Sequence, residues 1–393
     1  MKISLLTILL FAVLVSCRDR SRDALVGQMV NIGRKESLDS KLLNESRAYW
    51  VYVPPSASKP GVKLPVLYVL DGDAHFHSVS GLIQILGTGV NGTKVVPEMI
   101  VVAIPNTDRT RDLTPSHAET MMGRREEFLL TSGGGSKFLK FIKDELIPHI
   151  DQRYPTNSYR TLIGHSFGGI TAINALYTIP ETFDSYISID PSLWWDNQLL
   201  LKQADSMLKT KDYSNKSLFI GQANTLDPGE TTNEHFGSIK QYVEVLEKNK
   251  QSGLRWSYKY YPEDSHGSVP FISEYDGMRF IFEDFNPKFE KVGQDIDQVK
   301  KIFDRYHMLP PQDVLEYFGH RALAEGNTDL ALGYLQMNID TYPATARAQE
   351  SMGEFLLTKG DSVNARPYYL RALQLDPENK ELQEKVLKLK EKK

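Results

Sequence analysis

With 393 residues, 41% of them hydrophobic and 24% charged, the chain has a globular composition and length for about two domains. Its formal net charge of −4 is too small to attract nucleic acid, which is not expected as a partner, and the basic end "KVLKLKEKK" reads as a solvated terminus. A single cysteine excludes an internal disulfide and a zinc–thiolate cluster, and the His and Asp spacing holds no ligand motif, so neither a metal nor another cofactor is expected.

The chain opens with Lys2, an apolar run from Ile3 to Val15, and then Ser16-Cys17. That run is shorter than the roughly 20 residues needed to span a bilayer and reads as the core of a cleaved signal peptide. "LVSC" resembles a bacterial lipobox, which would make Cys17 the lipidated first residue of a membrane-anchored envelope lipoprotein. Residues 18–35 would form a polar tether.

The predicted elements then follow in order. "AYWVYVP" (48–54) alternates like a strand, while "VLYVL" (66–70) and "MIVVAIP" (99–105) are apolar on both faces, as strands of a covered parallel sheet are. "DGDAHF" (71–76) reads as a polar turn, and 106–135 as a long polar loop ending in "SGGG". A helix is expected over 136–147, with Ser136 as N-cap, Phe138, Phe141, Ile142 and Leu146 on one face, and Pro148 as its stop. "YRTLIG" (159–164), "SYISID" (185–190), "SLFIGQA" (217–223) and "RWSYKYY" (255–261) are further strands, separated by helical segments at 167–178, 198–209 and 235–250. Alternating strands and helices specify a doubly wound, mostly parallel α/β domain, bounded at 36–286.

Residues 287–311 form a linker with a helix at 296–307. From 312 to 393 the chain repeats at an offset of 34: Gly319 with Gly353, Leu323 with Leu357, Gly326 with Gly360, Ala331 with Ala365, Tyr334 with Tyr368, Pro343 with Pro377. A 34-residue helical unit ending in proline resembles the tetratricopeptide repeat, here two units and a capping helix. So small an array buries little surface alone and is expected to lean on the first domain; a protein partner is expected on the repeats.

The chemistry centres on Gly164-x-Ser166-x-Gly168. Strand, sharp turn and helix meet there, the context a nucleophile elbow requires, with small residues two positions either side of the serine. A serine hydroxyl needs a base. His266, in the loop after the last strand, fits the chain order Ser, acid, His of α/β hydrolases. His75 and His77 are expected to line the pocket; His117, His149 and His235 sit in a loop, at a helix end and at a helix start. The acid is expected at Asp227, with Glu230, Glu234 and Asp190 as alternatives. Backbone N–H groups of Phe167 and Asp73 are expected to hold the oxyanion. "TSGGGSK" lacks the strand and full spacing of a phosphate loop.

Together "VYVPP", "LYVLDGDAHF", "PNTDRTRDLTP", "GHSFGG", "DPSLWWDN" and "SHGSVP" resemble the putative esterase family of α/β hydrolases over about residues 36–285, most closely its enterochelin-esterase-like branch. The family also holds feruloyl and acetyl-xylan esterases, S-formylglutathione hydrolases and mycolyltransferases. The resemblance implies Ser166 and His266 as catalytic residues and leaves the acid open. Trp194 and Trp195 are expected either on the pocket rim or as a core pair. Arg109 or Arg111 is expected either near an anionic substrate, with Arg111 preferred, or paired with Asp108 or Asp112. The expected activity is ester hydrolysis through an acyl-serine, on a siderophore-type small molecule or on feruloyl or acetyl esters of a glycan. Acyl transfer, and an interaction protein with a vestigial site, are the competing readings.

Overall fold

The computed structural model describes residues 30–59, 61–88, 94–121, 124–285 and 295–390; the expected lipidation site at Cys17 lies outside them. One sheet runs through the first part of the chain, in the order β1-β2-β4-β3-β5-β6-β7-β8. The strands are β1 (Arg34–Ser40), β2 (Glu45–Tyr52), β3 (Leu64–Leu70), β4 (Ile100–Ile104), β5 (Thr156–His165), β6 (Ser185–Ile189), β7 (Ser217–Ala223) and β8 (Arg255–Tyr261). β1, β2 and β4 pair antiparallel at one edge, and every other pairing is parallel. β1 was not expected; it begins at Arg34, inside the segment read as tether.

The central strands β3, β4, β6 and β7 are buried along their whole length, which is why their sequences are apolar without alternation. Tyr68, Leu162, Tyr186 and Leu218 point into one core layer and Leu67, Val69, Ile163, Ile187 and Phe219 into the other. α1 (Gly72–Thr88) covers the second layer. It starts where a polar turn was expected, because Phe76, Val79, Ile83 and Leu86 carry a helical period past the polar first turn. α2 is a short helix, Arg109–Leu113, within the long loop.

α3 runs through Gly135–Phe141, a π-helical stretch Ile142–Leu146, and Ile147–Arg153. It does not stop at Pro148. The wider π turn takes up the missing N–H and the ring, and Gly134 rather than Ser136 is the N-cap. α4 (Phe167–Thr178), α5 (Trp195–Thr210) and α6 (Glu234–Lys248) cover the first layer with α3. α7 (Val269–Ile281) joins α1 on the opposite face.

The rest is helical: α8 (Ile296–Arg305), α9 (Gln312–Ala324), α10 (Thr328–Thr341), α11 (Ala346–Thr358), α12 (Ser362–Leu375) and α13 (Lys380–Lys390). The bounds of α11 and α12 are those of α9 and α10 plus 34, so the sequence period is a structural one. Gly326 and Gly360 end the first helix of each unit at φ 80° and 79°, a left-handed turn that glycine adopts without strain. Among the described residues no helix is long and apolar enough to cross a membrane.

The helical part shares a core with the sheet. Tyr306, fully buried just past α8, packs against Tyr159 of β5 and against Phe282 and Phe285 behind α7, and its hydroxyl donates to the Ile281 carbonyl at 3.2 Å. Phe318 and Tyr334 stack in the same core. Tyr306→Ala is therefore expected to lower stability by about 3–5 kcal/mol, read as a fall in the urea midpoint.

Candidate active site

Strand register brings the site together. His165 pairs with Ile189, and Ile189 with Gly221, so the next residues, Ser166 and Asp190, leave adjacent parallel strands side by side. Val69 pairs with Ile163, which puts Asp71 beside them at the end of β3. β4 lies on one side of β3 and β5 on the other, so this is the topological switch point, where open α/β sheets bind ligands at their carboxyl edge. Asp71, Ser166 and Asp190 all have positive φ, at 50°, 60° and 41°. Each is an L residue in the left-handed region, a local cost that the surrounding packing must hold in place.

The elbow is steric in origin. A Cβ on Gly164 would sit 2.1 Å from the Gly168 carbonyl oxygen, so the chain turns from β5 into α4 only with glycine there. The turn is stapled by the Ser166 N–H to the Ile189 carbonyl, at 2.9 Å, and by the Ser192 N–H to the Ser166 carbonyl, at 3.2 Å. Ser166 Oγ lies 3.1 Å from Ser192 Oγ. Phe167 opens α4 and Asp73 is the second residue of α1, and N–H groups in the first turn of a helix lack intrahelical acceptors. Those two amides remain available to an oxyanion.

His266 lies in the loop after β8, held by the Asn224 N–H to the Asp264 carbonyl and by the turn from Ser265 to Ser268. Its ring centroid is 4.4 Å from that of His165, the residue before Ser166, so the imidazole lies over the elbow. Among the described residues no hydrogen bond joins Ser166 to His266; the Ser166 hydroxyl meets that of Ser192 instead. Catalytic hydrogen bonds are commonly open before substrate binds.

The carboxylate on His266 is that of Asp190, 2.6 Å from Nδ1. Asp227, expected there, is exposed in the turn beyond β7, where its N–H donates to Glu230. The sequence Asp227-Pro-Gly carries the loop outward, while the strained end of β6 turns Asp190 inward. Asp190 is fully buried, and Oδ1 accepts the Ala223 N–H at 2.9 Å. Burial raises its pKa, but hydrogen bonds from His235 and His266 more than offset that and hold it well below the usual carboxylate range.

His235, at the start of α6, was not singled out in the sequence. Its Nε2 is 3.0 Å from Asp190 Oδ2, and its Nδ1 accepts the Trp194 indole N–H at 2.9 Å. The signal was positional: Asn233 caps α6, which places residue 235 in the first turn of a helix at the sheet's carboxyl edge. Asp190, His235 and His266 bring ligand atoms within 4.8 Å of one another. With Nδ1 occupied by the indole donor, however, the His235 proton sits on Nε2, which leaves that atom no lone pair for a metal.

Trp195 belongs to the core, 3% exposed and edge-on to Phe167; Trp194 is half-buried, as its bond to His235 requires. Arg111 is held by Asp112 and Glu45, at 2.7 and 2.6 Å, away from any substrate role. Arg109 is the arginine beside the elbow: it grips Asp71 through Nε, at 2.6 Å, and Nη2, at 3.0 Å, and reaches the His165 carbonyl. His75 faces the buried Glu274 at 3.0 Å, whereas His77 is exposed.

A serine on a strained strand–helix turn at the switch point, an acid at the end of the next strand and a histidine after the last strand define an α/β hydrolase. The sequence pattern of the family described as Putative esterase matches residues 40–274, and the chain belongs to that family. By class it is a carboxylic-ester hydrolase. The ferri-bacillibactin esterase BesA of Bacillus subtilis (strain 168) is 28% identical over 258 residues, 62% of this chain and 88% of that protein. An IroE-like serine hydrolase from Shewanella oneidensis superposes with a TM-score of 0.70 at 32% identity, over 79% of this chain and 99% of its own. An uncharacterised protein from Capnocytophaga ochracea shares the fold over 91% of this chain and 99% of its own, with a TM-score of 0.63 at 15% identity.

His165 supplies a pH test of this geometry. Burial first, then the charges of His266 and His75, push its pKa down to about 3 from the ordinary 6.5. Between those values the unfolded chain binds more protons than the folded one, so this group removes stability as pH falls from 6.5 towards 3. The His165 ring resonances are expected to stay at their neutral positions from pH 8 to about pH 4, followed by histidine-detected NMR.

Proposed function

We propose that the chain hydrolyses siderophore-type esters through an acyl intermediate on Ser166. Ser166 Oγ attacks the ester carbonyl while His266 Nε2 takes its proton, and the carbonyl carbon becomes tetrahedral. The Phe167 and Asp73 amides hold the oxyanion. His266 returns the proton to the leaving alkoxide, and a water, deprotonated by the same nitrogen, releases the acid. Asp190 holds the imidazole with its Nδ1–H inward and stabilises the cation formed in each half-reaction. The observation that carries this reading is the 2.6 Å contact of a fully buried carboxylate with His266 Nδ1, beside a serine held at positive φ. The substrate class is supported by the relatives' names, ferri-bacillibactin esterase among them.

Turnover of a catecholate siderophore triester, a feruloylated sugar and p-nitrophenyl butyrate is the test. Ser166→Ala and His266→Ala are expected to lower kcat by about 10³-fold or more, and Asp190→Asn by about 10²–10⁴-fold. Asp227→Asn, at an exposed turn, is expected to stay within about twofold of wild type. Equal turnover by wild type and Ser166→Ala would overturn the mechanism. A preference for the feruloylated sugar would move the substrate to glycan esters.

Membrane anchoring through a thioether-linked lipid on Cys17 is part of the same proposal, supported by the lipobox-like "LVSC". In a bacterial host, metabolic labelling with an alkyne fatty acid is expected to mark the chain and to miss Cys17→Ser.

A further inference from the structure

Asp190 answers to two histidines. Oδ2 lies 2.6 Å from His266 Nδ1 and 3.0 Å from His235 Nε2, while Oδ1 takes the Ala223 N–H. The carboxylate is fully buried, so each donor counts towards keeping it ionised and in one orientation. A second histidine beside a catalytic acid is hazardous if it gains a proton. A second cation would draw the carboxylate's field away from His266 and repel the charge that His266 acquires. His235 is protected from that state by Trp194. An indole N–H only donates, so the nitrogen facing it, Nδ1 at 2.9 Å, must keep its lone pair. His235 is then neutral, its single proton is on Nε2, and that proton points at Asp190.

We infer that His235 is a positioning residue, which fixes the Asp190 carboxylate on His266 through a neutral Nε2–H donor whose tautomer is set by the indole of Trp194. The inference rests on the reading of Asp190 and His266 as acid and base. The relay Trp194–His235–Asp190–His266 holds one proton on each donor nitrogen and moves none during the reaction. Oδ2 is thus shared between two N–H donors, His266 Nδ1 and His235 Nε2, which together fix its direction. The "PSLWW" segment thereby acquires a use: it delivers Ser192 to the nucleophile and Trp194 to the far end of the relay.

Other charged and titratable groups surround these residues. His165 stacks on His266 at 4.4 Å and the His235 ring meets it edge-on at 5.3 Å. Tyr258 of β8 donates to Gln222, and Lys240 of α6 lies over the rings of Tyr258 and Tyr260. Glu274 faces His75, whose ring meets that of His165 edge-on, and Asp71 is held by Arg109.

The test combines turnover with histidine NMR on the full chain. His235→Leu, which removes both bonds, is expected to lower kcat about ten- to a hundredfold with KM little changed. His235→Gln is expected to recover most of that loss, because its amide N–H can donate to Asp190 and its amide oxygen can accept from Trp194. Wild-type His235 should show the Nε2–H tautomer at pH 8, and Trp194→Phe should weaken that preference and let the Nδ1–H tautomer appear. Wild-type kcat in His235→Leu, no recovery in His235→Gln, or the Nδ1–H tautomer in wild type would overturn the inference. The NMR readout needs no turnover. A chain that hydrolyses no ester yet shows the locked tautomer would sink the esterase mechanism and leave the positioning of Asp190 standing; an Nδ1–H tautomer of His235 in an active enzyme would do the reverse.

Discussion

Parallel pairing of β3, β5 and β6 in fixed register is the constraint on which the site depends. Neighbouring parallel strands lie about 4.8 Å apart, so residues leaving them at one level are neighbours whatever their separation in sequence. Here that level is occupied by Asp71, Ser166 and Asp190, each bent into the left-handed region. One unfavourable backbone angle would be an accident of a loop. Three on adjacent strand ends, with their side chains tied to Arg109, Ser192 and His266, form a platform in which each strained turn is held by its neighbour.

Much of this was legible in the sequence, and the parts that were not share a cause. The strands could be read because a doubly covered sheet demands continuous apolar runs. Ser166 could be read because the elbow imposes its glycines locally; Gly164 has no room for a Cβ. His266 followed from chain order. The acid did not, because two carboxyl-bearing strand ends satisfied the same order and the choice rests on the direction of a turn. Asp227 precedes Pro228-Gly229, which leads outward, whereas Asp190 follows a buried strand and bends over the sheet. His235 and Arg109 were obscured for a related reason: their partners, Asp190 and Asp71, are 45 and 38 residues distant. α1 was missed because a helix that starts at a catalytic edge has a polar first turn, which mimics a loop. α3 ran past Pro148 because a π turn absorbed the break.

The electrostatics of the site are built from neutral histidines as much as from charge. His165 is kept neutral by burial and by its imidazole neighbours, and the indole on His235 Nδ1 leaves Nε2 as the nitrogen that faces Asp190. The buried carboxylate of Asp190 meets His266 at 2.6 Å, and the His266 side chain is 42% exposed. A base must meet substrate and solvent, while its supporting acid must not. The gradient from buried Asp190 to open His266 separates those two requirements over a single hydrogen bond.

The helical extension enters this arrangement from behind. α7 begins just past His266 and ends at Ile281, and the carbonyl of Ile281 receives both the Tyr306 hydroxyl and the Arg255 guanidinium. Phe282 and Phe285 then pack on Tyr306 and Phe303. The loop bearing the proposed base is therefore anchored at the near end by the β7 and β8 turns and at the far end by a core that only the C-terminal helices complete. A hydrolase domain cut at its sequence boundary would leave that aromatic face in water. The repeats are thus structurally continuous with the element that presents His266, and the 34-residue period that looks like a separate module in the sequence is, in its first unit, part of the wall of the enzyme's own core.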